Sequence, residues 1–253
     1  MKEYFNKLYK GSKNDFYDLV KKNLISNKRM FVVTANPETL MTAENNSNFR
    51  NTLLDSNTTI IADGIGIIKG AKMLGYSLPG TIPGVELCSE LFKYCNDLNK
   101  SIFLFGATEE IIEKLVSTIH QKYPNVTISG YENGYVSDKQ VIFQKIKDLK
   151  PDVVLVALGI PYQELLIHNN INDFDKGIFV GVGGSFDVLS GSKKRAPKIF
   201  RKFHLEWLYR ILKEPKRIKR FYDSNVKFLF KVKKKDNKKI IDNIFIVFTF
   251  LVL

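Results

Sequence analysis

Six short runs of β-branched and aliphatic residues, separated by helical patterns, constrain this chain's fold more than any other feature. They are Phe31-Val32-Val33, Thr59-Ile60-Ile61, Ser101 to Phe105, Val126 to Ser129, Val153 to Ala157 and Ile178 to Val182. Between them apolar residues recur at helical spacing, as in Leu87, Leu91, Tyr94 and Leu98, in Ile111, Leu115 and Ile119, and in Ile142, Ile146 and Leu149. A strand with one wet face alternates apolar and polar residues. Near-continuous apolar strands are buried on both faces, which happens when helices cover a parallel sheet from both sides. The expectation is therefore an α/β fold with a Rossmann-like, mostly parallel sheet and helices on both faces. Near Gly191 the strand pattern stops and basic helical sequence begins. Residues 1–192 are expected to form the sheet domain and 193–253 a C-terminal appendage.

Charge divides the chain at the same place. Lys193 to Lys239 holds 19 of the 39 Lys and Arg but 4 of the 26 Asp and Glu, a net +15 that leaves the rest at −2. Aromatic and aliphatic residues run through these charges: Phe200, Phe203, Trp207, Leu208, Tyr209, Leu212, Ile218, Phe221 and Tyr222. That mixture suits an anionic membrane surface or a lipid-linked phosphate better than a solvated tail. Such an appendage is poorly covered in an isolated monomer, so the expectation is that it is either disordered or occluded in a homo-oligomer until it meets lipid.

Cys88 and Cys95, seven apart in a helical pattern, read as two buried thiols in a reducing compartment. His120, His168 and His204 are scattered, no zinc spacing occurs, and no metal or cofactor is expected. Residues 1–30 mix charges throughout and lack the apolar centre of a signal peptide. The apolar tail 240–253 has 14 residues, fewer than the roughly 20 needed to cross a bilayer.

Ligands of such folds bind at the carboxyl ends of strands. After the first run come Thr34-Ala35-Asn36-Pro37. Asn36 is a good N-cap and Pro37 fits a first helical position, so local structure explains both. Alternatively, Thr34 and Asn36 face the cleft and bind a sugar or phosphate. After the second run, Asp63 precedes Gly64-Ile65-Gly66. A carboxylate ending an apolar strand, beside a glycine that lets a ligand approach, suits a general base, although Asp-Gly is also a common turn. Gly106-Ala107-Thr108 opens a helix whose N–H groups suit a diphosphate, but lacks the dinucleotide fingerprint. Gln163 and Glu164 follow the fifth run, and Gly183-Gly184-Ser185 the sixth, with Gly183 counted among the substrate-binding positions. Gly130 to Tyr135 reads as a turn cornered by Asn133-Gly134. Asp173-Phe174-Asp175 resembles a metal-holding pair but sits in a polar loop. Arg210, Arg217 and Arg220 have spacings of seven and three, and would share one face if a helix ran on past Pro215. Such arginines can neutralise a diphosphate leaving group without a metal.

The stretches TANPETL, ADGIGI, IPGVEL, LFGATEE, GYENGY, ALGIPYQE, GVGGSFDVLSG, KRAPK and LEWLYRILKEPKRIKR, together covering about Met30 to Arg220, resemble the WecG/TagA/CpsF family of bacterial glycosyltransferases. The resemblance implies a metal-independent, inverting transfer of an N-acetylmannosamine-type sugar from a UDP donor. The acceptor it implies is the 4-hydroxyl of N-acetylglucosamine on a polyprenyl (undecaprenyl) diphosphate, as in teichoic acid linkage units or surface polysaccharides. The enzyme would be cytoplasmic and peripheral on the inner membrane face, with the appendage closing the site. Residue by residue, Asp63 matches the family's catalytic base, Thr34 and Asn36 pocket residues near the acceptor and the transition state, with Thr34 counted as catalytic beside Asp63, and Gln163 a donor- or sugar-contacting residue. Arg210, Arg217 and Arg220 match arginines expected at the diphosphate. Thr81 stands where family members commonly have Arg, and Gly80 where they have an acidic residue. Thr81 offers no cationic fork, so another cation substitutes or a substrate differs.

Three other readings remain open at this level. The same chemistry could use a uronic acid form, glucose or another hexose. A nucleotide-dependent oxidoreductase lacks its glycine fingerprint. A nucleic-acid-binding protein would use the basic tail but leave Asp63 without a job, so no nucleic acid is expected.

Overall fold

The computed structural model describes residues 1–233. Helices α1 (Lys2–Lys7) and α2 (Lys13–Ile25) lead into β1 (Arg29–Ala35), α3 (Pro37–Glu44), α4 (Ser47–Leu54), β2 (Thr58–Ala62) and α5 (Ile65–Met73). Next come α6 (Gly84–Asp97), β3 (Ser101–Gly106), α7 (Glu109–Lys122), β4 (Thr127–Glu132) and α8 (Lys139–Leu149). The sheet domain ends with β5 (Val153–Ala157), α9 (Tyr162–Asn170), β6 (Gly177–Gly181) and α10 (Ser185–Leu189). Beyond it lie α11 (Lys198–Lys202), α12 (Glu206–Lys213), α13 (Arg217–Phe221), a π-helical turn (Tyr222–Val226) and α14 (Lys227–Lys233).

All six expected strands form, in the order β2-β1-β6-β5-β3-β4, and every neighbouring pair is parallel. The reason is visible in β1. Phe31, Val33 and Ala35 enter one core with α1, α3, α4, α5, α8, α9 and α14, while Met30 and Val32 enter a second core with α2, α6, α7 and α10. Burial on both faces is what the unbroken apolar runs require. Cys88 and Cys95 are both buried and unbridged in the second core.

One local expectation changes. Gly130, Tyr131 and Glu132 belong to β4, and the turn begins only at Asn133. The β3–β4 register shifts between Ile102 and Phe103, and a Cβ at Gly130 would lie 2.6 Å from the Phe103 ring. Gly130 thus serves close packing within the sheet, not a turn.

The appendage is covered unevenly. Ile199, Phe203 and Leu212 are each more than 60 % exposed. Phe228 and Val232 on α14 are instead buried in the first core, against α5 and the N-terminal α1. Lys231 reaches Glu44 of α3 at 3.0 Å. No helix among the described residues is long and apolar enough to cross a membrane. The apolar tail 240–253 and the lysines after Lys233 lie outside the described residues.

Candidate active site

The carboxyl ends of β2, β1 and β6 stand side by side, with Ala35 opposite Ala62 and Val33 opposite Gly181. Asp63 follows β2 directly. Its N–H donates to the Ala35 carbonyl at 2.8 Å, which extends the β1–β2 pairing one step and fixes where the side chain leaves. Gly64 then takes φ +95°, a conformation that glycine tolerates and side-chain-bearing residues rarely adopt. After α5 the chain returns to this end. Ile82 N–H donates to the Ala62 carbonyl at 2.8 Å, and Gly84, opening α6, points its N–H at Asp63 Oδ2 at 3.4 Å.

Asp63 is half-buried yet crowded by protein, and burial pushes its carboxyl up to about 6. The Gly84 N–H and the Arg210 guanidinium oppose that rise, while the carboxylates of Glu206 and Glu86 add to it. The site therefore holds a carboxyl that is mostly ionised at neutral pH and basic enough to take a proton, the balance a general base needs.

Thr34, at the end of β1, is buried and donates from Oγ1 to the Gly181 carbonyl at 3.1 Å. A Cβ on Gly84 would lie 3.2 Å from the Thr34 methyl, so Thr34 and the start of α6 pack closely beside Asp63. Asn36 caps α3: its Oδ1 accepts from Thr39 N–H at 3.0 Å, while Thr39 Oγ1 accepts from Asn36 N–H at 3.1 Å. The capping explanation of Asn36 holds for its oxygen, and its side-chain NH2 has no partner among the described residues.

Gln163 is 2 % exposed and committed at both ends. Its Oε1 accepts from Gly159 N–H at 3.1 Å and Gly183 N–H at 3.0 Å, and its Nε2 donates to Glu164 Oε1 at 2.7 Å. It clamps the loops after β5 and β6 together, with Gly183 in the left-handed region at φ +47°. Burial pushes the Glu164 carboxyl up to about 7, the Gln163 bond opposing it.

Gly106 ends β3, on the far side of β5 from β6, and pairs with Ala157. A Cβ there would come within 2.4 Å of the Ala157 carbonyl, so close approach of β3 to β5 accounts for the glycine. The helix it precedes is capped by Thr108 and carries Glu109 and Glu110 in its first turn, an arrangement that already satisfies its dipole.

The three arginines do not share one helix. α12 ends at Lys213 and α13 starts at Arg217, the break falling at Glu214-Pro215-Lys216 as a proline requires. Trp207 stacks on Phe221 across the break at 4.6 Å between ring centroids. Of the three, Arg210 is among the main charges that favour ionised Asp63. Arg217 pairs with Glu214 at 2.6 Å, and Arg220 grips Glu38 of α3 with two nitrogens at 2.9 and 3.0 Å.

Sequence reasoning assigned no role to Arg195, Glu86 or Glu206, although KRAPK, IPGVEL and LEWLYR were the motifs containing them. The pairing joins residues 109 positions apart and is invisible to local pattern: Arg195 Nη2 lies 2.7 Å from Glu86 Oε1 and 3.5 Å from Glu206 Oε1. Asp173 and Asp175 stand before β6 at the opposite end of the sheet from Asp63, and Asp173 pairs with Lys147 at 3.6 Å. Two surface cavities, about 210 Å³ beside α8 and about 520 Å³ at the start of β1, lie outside the Asp63 group.

Comparison with known proteins places almost the whole chain in one family. Residues 6–240 match the model of the glycosyl transferase WecG/TagA/CpsF family. The chain is 41 % identical over 197 residues (78 % of this chain, 76 % of the relative) to the N-acetylglucosaminyldiphosphoundecaprenol N-acetyl-beta-D-mannosaminyltransferase of Bacillus spizizenii. It is 39 % identical over 225 residues (88 % of each chain) to the protein of that name from Bacillus subtilis. With the one from Staphylococcus aureus strain MW2 it shares 37 % over 214 residues (84 % and 83 %). A match along almost the whole chain, taking in the Asp63 turn and the arginine helices alike, makes this protein a member of the WecG/TagA/CpsF glycosyl transferase family.

Proposed function

We propose that this chain transfers N-acetylmannosamine from a UDP-linked donor to the 4-hydroxyl of N-acetylglucosamine carried on a polyprenyl diphosphate, with inversion at the anomeric carbon. The observation that carries the reading is the Asp63 carboxyl at the end of β2, raised to about 6 by burial with the Arg210 charge opposing the rise, in a chain whose relatives bear that activity in their names. Asp63 takes the proton as the acceptor oxygen attacks. Negative charge grows on the departing UDP as the bond to the sugar lengthens, and the guanidinium of Arg210 stabilises it there without a metal. A diphosphate would compete with Glu214 and Glu38 for Arg217 and Arg220. Thr34 and the free amide of Asn36 line the acceptor side. Gln163 and Gly183 shape the wall through their mutual hydrogen bond.

The exposed Ile199, Phe203, Leu212 and Ile218, set among Lys198, Lys202, Lys213 and Lys219, form the face turned to the anionic inner surface of the cell membrane, where the lipid-linked acceptor resides. The protein is peripheral there.

A base that titrates near 6 fixes the pH dependence. Its protonated form is inactive, so kcat/KM should be full above pH 7 and fall about tenfold per unit below the midpoint near 6. A rate independent of pH between 5 and 8 would remove Asp63 from that role. The substrate assignment is tested with a panel of UDP-sugars and one short-chain lipid-diphosphate N-acetylglucosamine acceptor, read by product mass. UDP-N-acetylmannosamine should give the dominant product. A larger yield from a uronic acid or glucose donor would overturn the choice of donor.

A further inference from the structure

Arg195 stands where three parts of the molecule meet. It belongs to the link between α10 and α11, Glu86 to the first turn of α6, and Glu206 to the first turn of α12. Its Nη2 contacts both carboxylates, at 2.7 and 3.5 Å, with its side chain 24 % exposed. Lys13 of α2 adds a second cation to Glu86 at 3.2 Å, and Glu206 lies 4.0 Å from Arg210 one turn further along α12. Burial opposes ionisation of Glu86, yet the bonds from Arg195 and Lys13 outweigh it and hold the carboxyl below its ordinary range. Glu86 and Glu206 are the same two carboxylates that work against ionisation of Asp63, and Arg210 is the side chain that favours it.

We propose that Arg195 is a positioning residue for the general base: bridging Glu86 and Glu206, it pins α12 to the body so that Arg210, and not the two glutamates, governs the field at Asp63. This rests on the assignment of Asp63 as base. The charges that bear on Asp63 are Arg210 and Glu206 from α12 and Glu86 from α6; Asp63 in turn acts on Cys88 of α6, whose thiol burial keeps neutral. Removing the Arg195 charge leaves two carboxylates less compensated and releases Arg210. Both changes favour protonated Asp63, so they act in the same direction.

The test is the pH profile of kcat/KM for Arg195→Met, which keeps much of the aliphatic packing, beside Arg195→Lys and the double variant Arg195→Met with Glu86→Gln. The acid limb of Arg195→Met should move upward by roughly half a unit to one unit, so its deficit is several-fold larger at pH 6 than at pH 8. Glu86→Gln in the same chain should bring the limb back toward wild type, which a loss of structure would not do. Arg195→Lys should leave the limb within about 0.3 unit of wild type while raising KM, because the cation remains and the fork is lost. If the Met variant does not fold, the Lys variant decides alone, and a limb displaced by a full unit in it would overturn the proposal. An unmoved limb in folded Arg195→Met, with a rate loss equal at every pH, also overturns it. Failure of the base assignment looks different: there Asp63→Asn itself retains transfer.

Discussion

Replacing Phe228 by alanine is expected to destabilise the whole domain, and not the appendage alone, by roughly 3–5 kcal/mol. Phe228 is fully buried, with its ring over Gly70 of α5, where a Cβ would lie 2.8 Å from two ring carbons. On its other side it meets Phe5 of α1 at 6.3 Å between centroids, and Phe5 in turn stacks on Tyr76 at 5.9 Å. The glycine on one side and rings on the other leave few groups able to collapse into the space, so most of the cavity persists. In a chain of this length that loss lowers the thermal midpoint by on the order of 10 °C. Phe203→Ala is the control, since Phe203 is 62 % exposed and should change stability by under about 0.5 kcal/mol. Urea unfolding of the two variants measures the difference. A loss below about 1 kcal/mol in Phe228→Ala would mean that α14 is not seated in the core.

The seat of α14 changes how the appendage can be studied. Deleting everything from Lys193 onward removes the arginines and also Phe228 and Val232, exposing the apolar surfaces of α1 and α5. Loss of activity in such a truncation would mix catalysis with stability. Point variants on α12 separate the two, because no residue of α12 or α13 is buried.

What the sequence made legible follows the range of the interactions involved. The six strands were readable because two-sided burial writes itself into consecutive residues, as in Val153-Val154-Leu155-Val156. Asp63 was readable for the opposite reason: a charge directly after Ile60-Ile61-Ala62 breaks an apolar run where such folds bind ligands. The N-cap at Asn36 and the helix break at Pro215 are local and were legible too. Gly130 was misplaced because Asn133-Gly134 is a strong turn signal three residues on, and the ring of Phe103 that demands a glycine comes from another strand. The bond from Gly183 to Gln163, the Glu38 partner of Arg220 and the Arg195 bridge are tertiary pairings. Charge counts report the ions but not which of them meet.

Asp63→Asn is expected to reduce transfer by about 10²- to 10⁴-fold, the range general bases contribute. The substitution keeps the side chain's size and an oxygen that can accept from Gly84 N–H. It removes only the ability to take a proton. Its effect on stability has a definite sign. The native state raises the Asp63 carboxyl from its ordinary 3.8 to about 6, so the folded protein binds the proton more tightly than the unfolded chain. Asp63 therefore costs stability that grows as pH rises from about 4 through 6 and is constant above. Asparagine carries no such cost, and the variant should melt at or above the wild-type temperature at pH 7.5. An inactive protein that is at least as stable as its parent separates chemistry from folding.

The decisive comparison is transfer from UDP-N-acetylmannosamine to the lipid-diphosphate acceptor by wild type and Asp63→Asn at pH 7.5, followed by product mass. Wild type should form the disaccharide product, and the variant should form it at least 10²-fold more slowly with unchanged donor binding. Turnover by Asp63→Asn within a few-fold of wild type would contradict the assignment of Asp63 as the base.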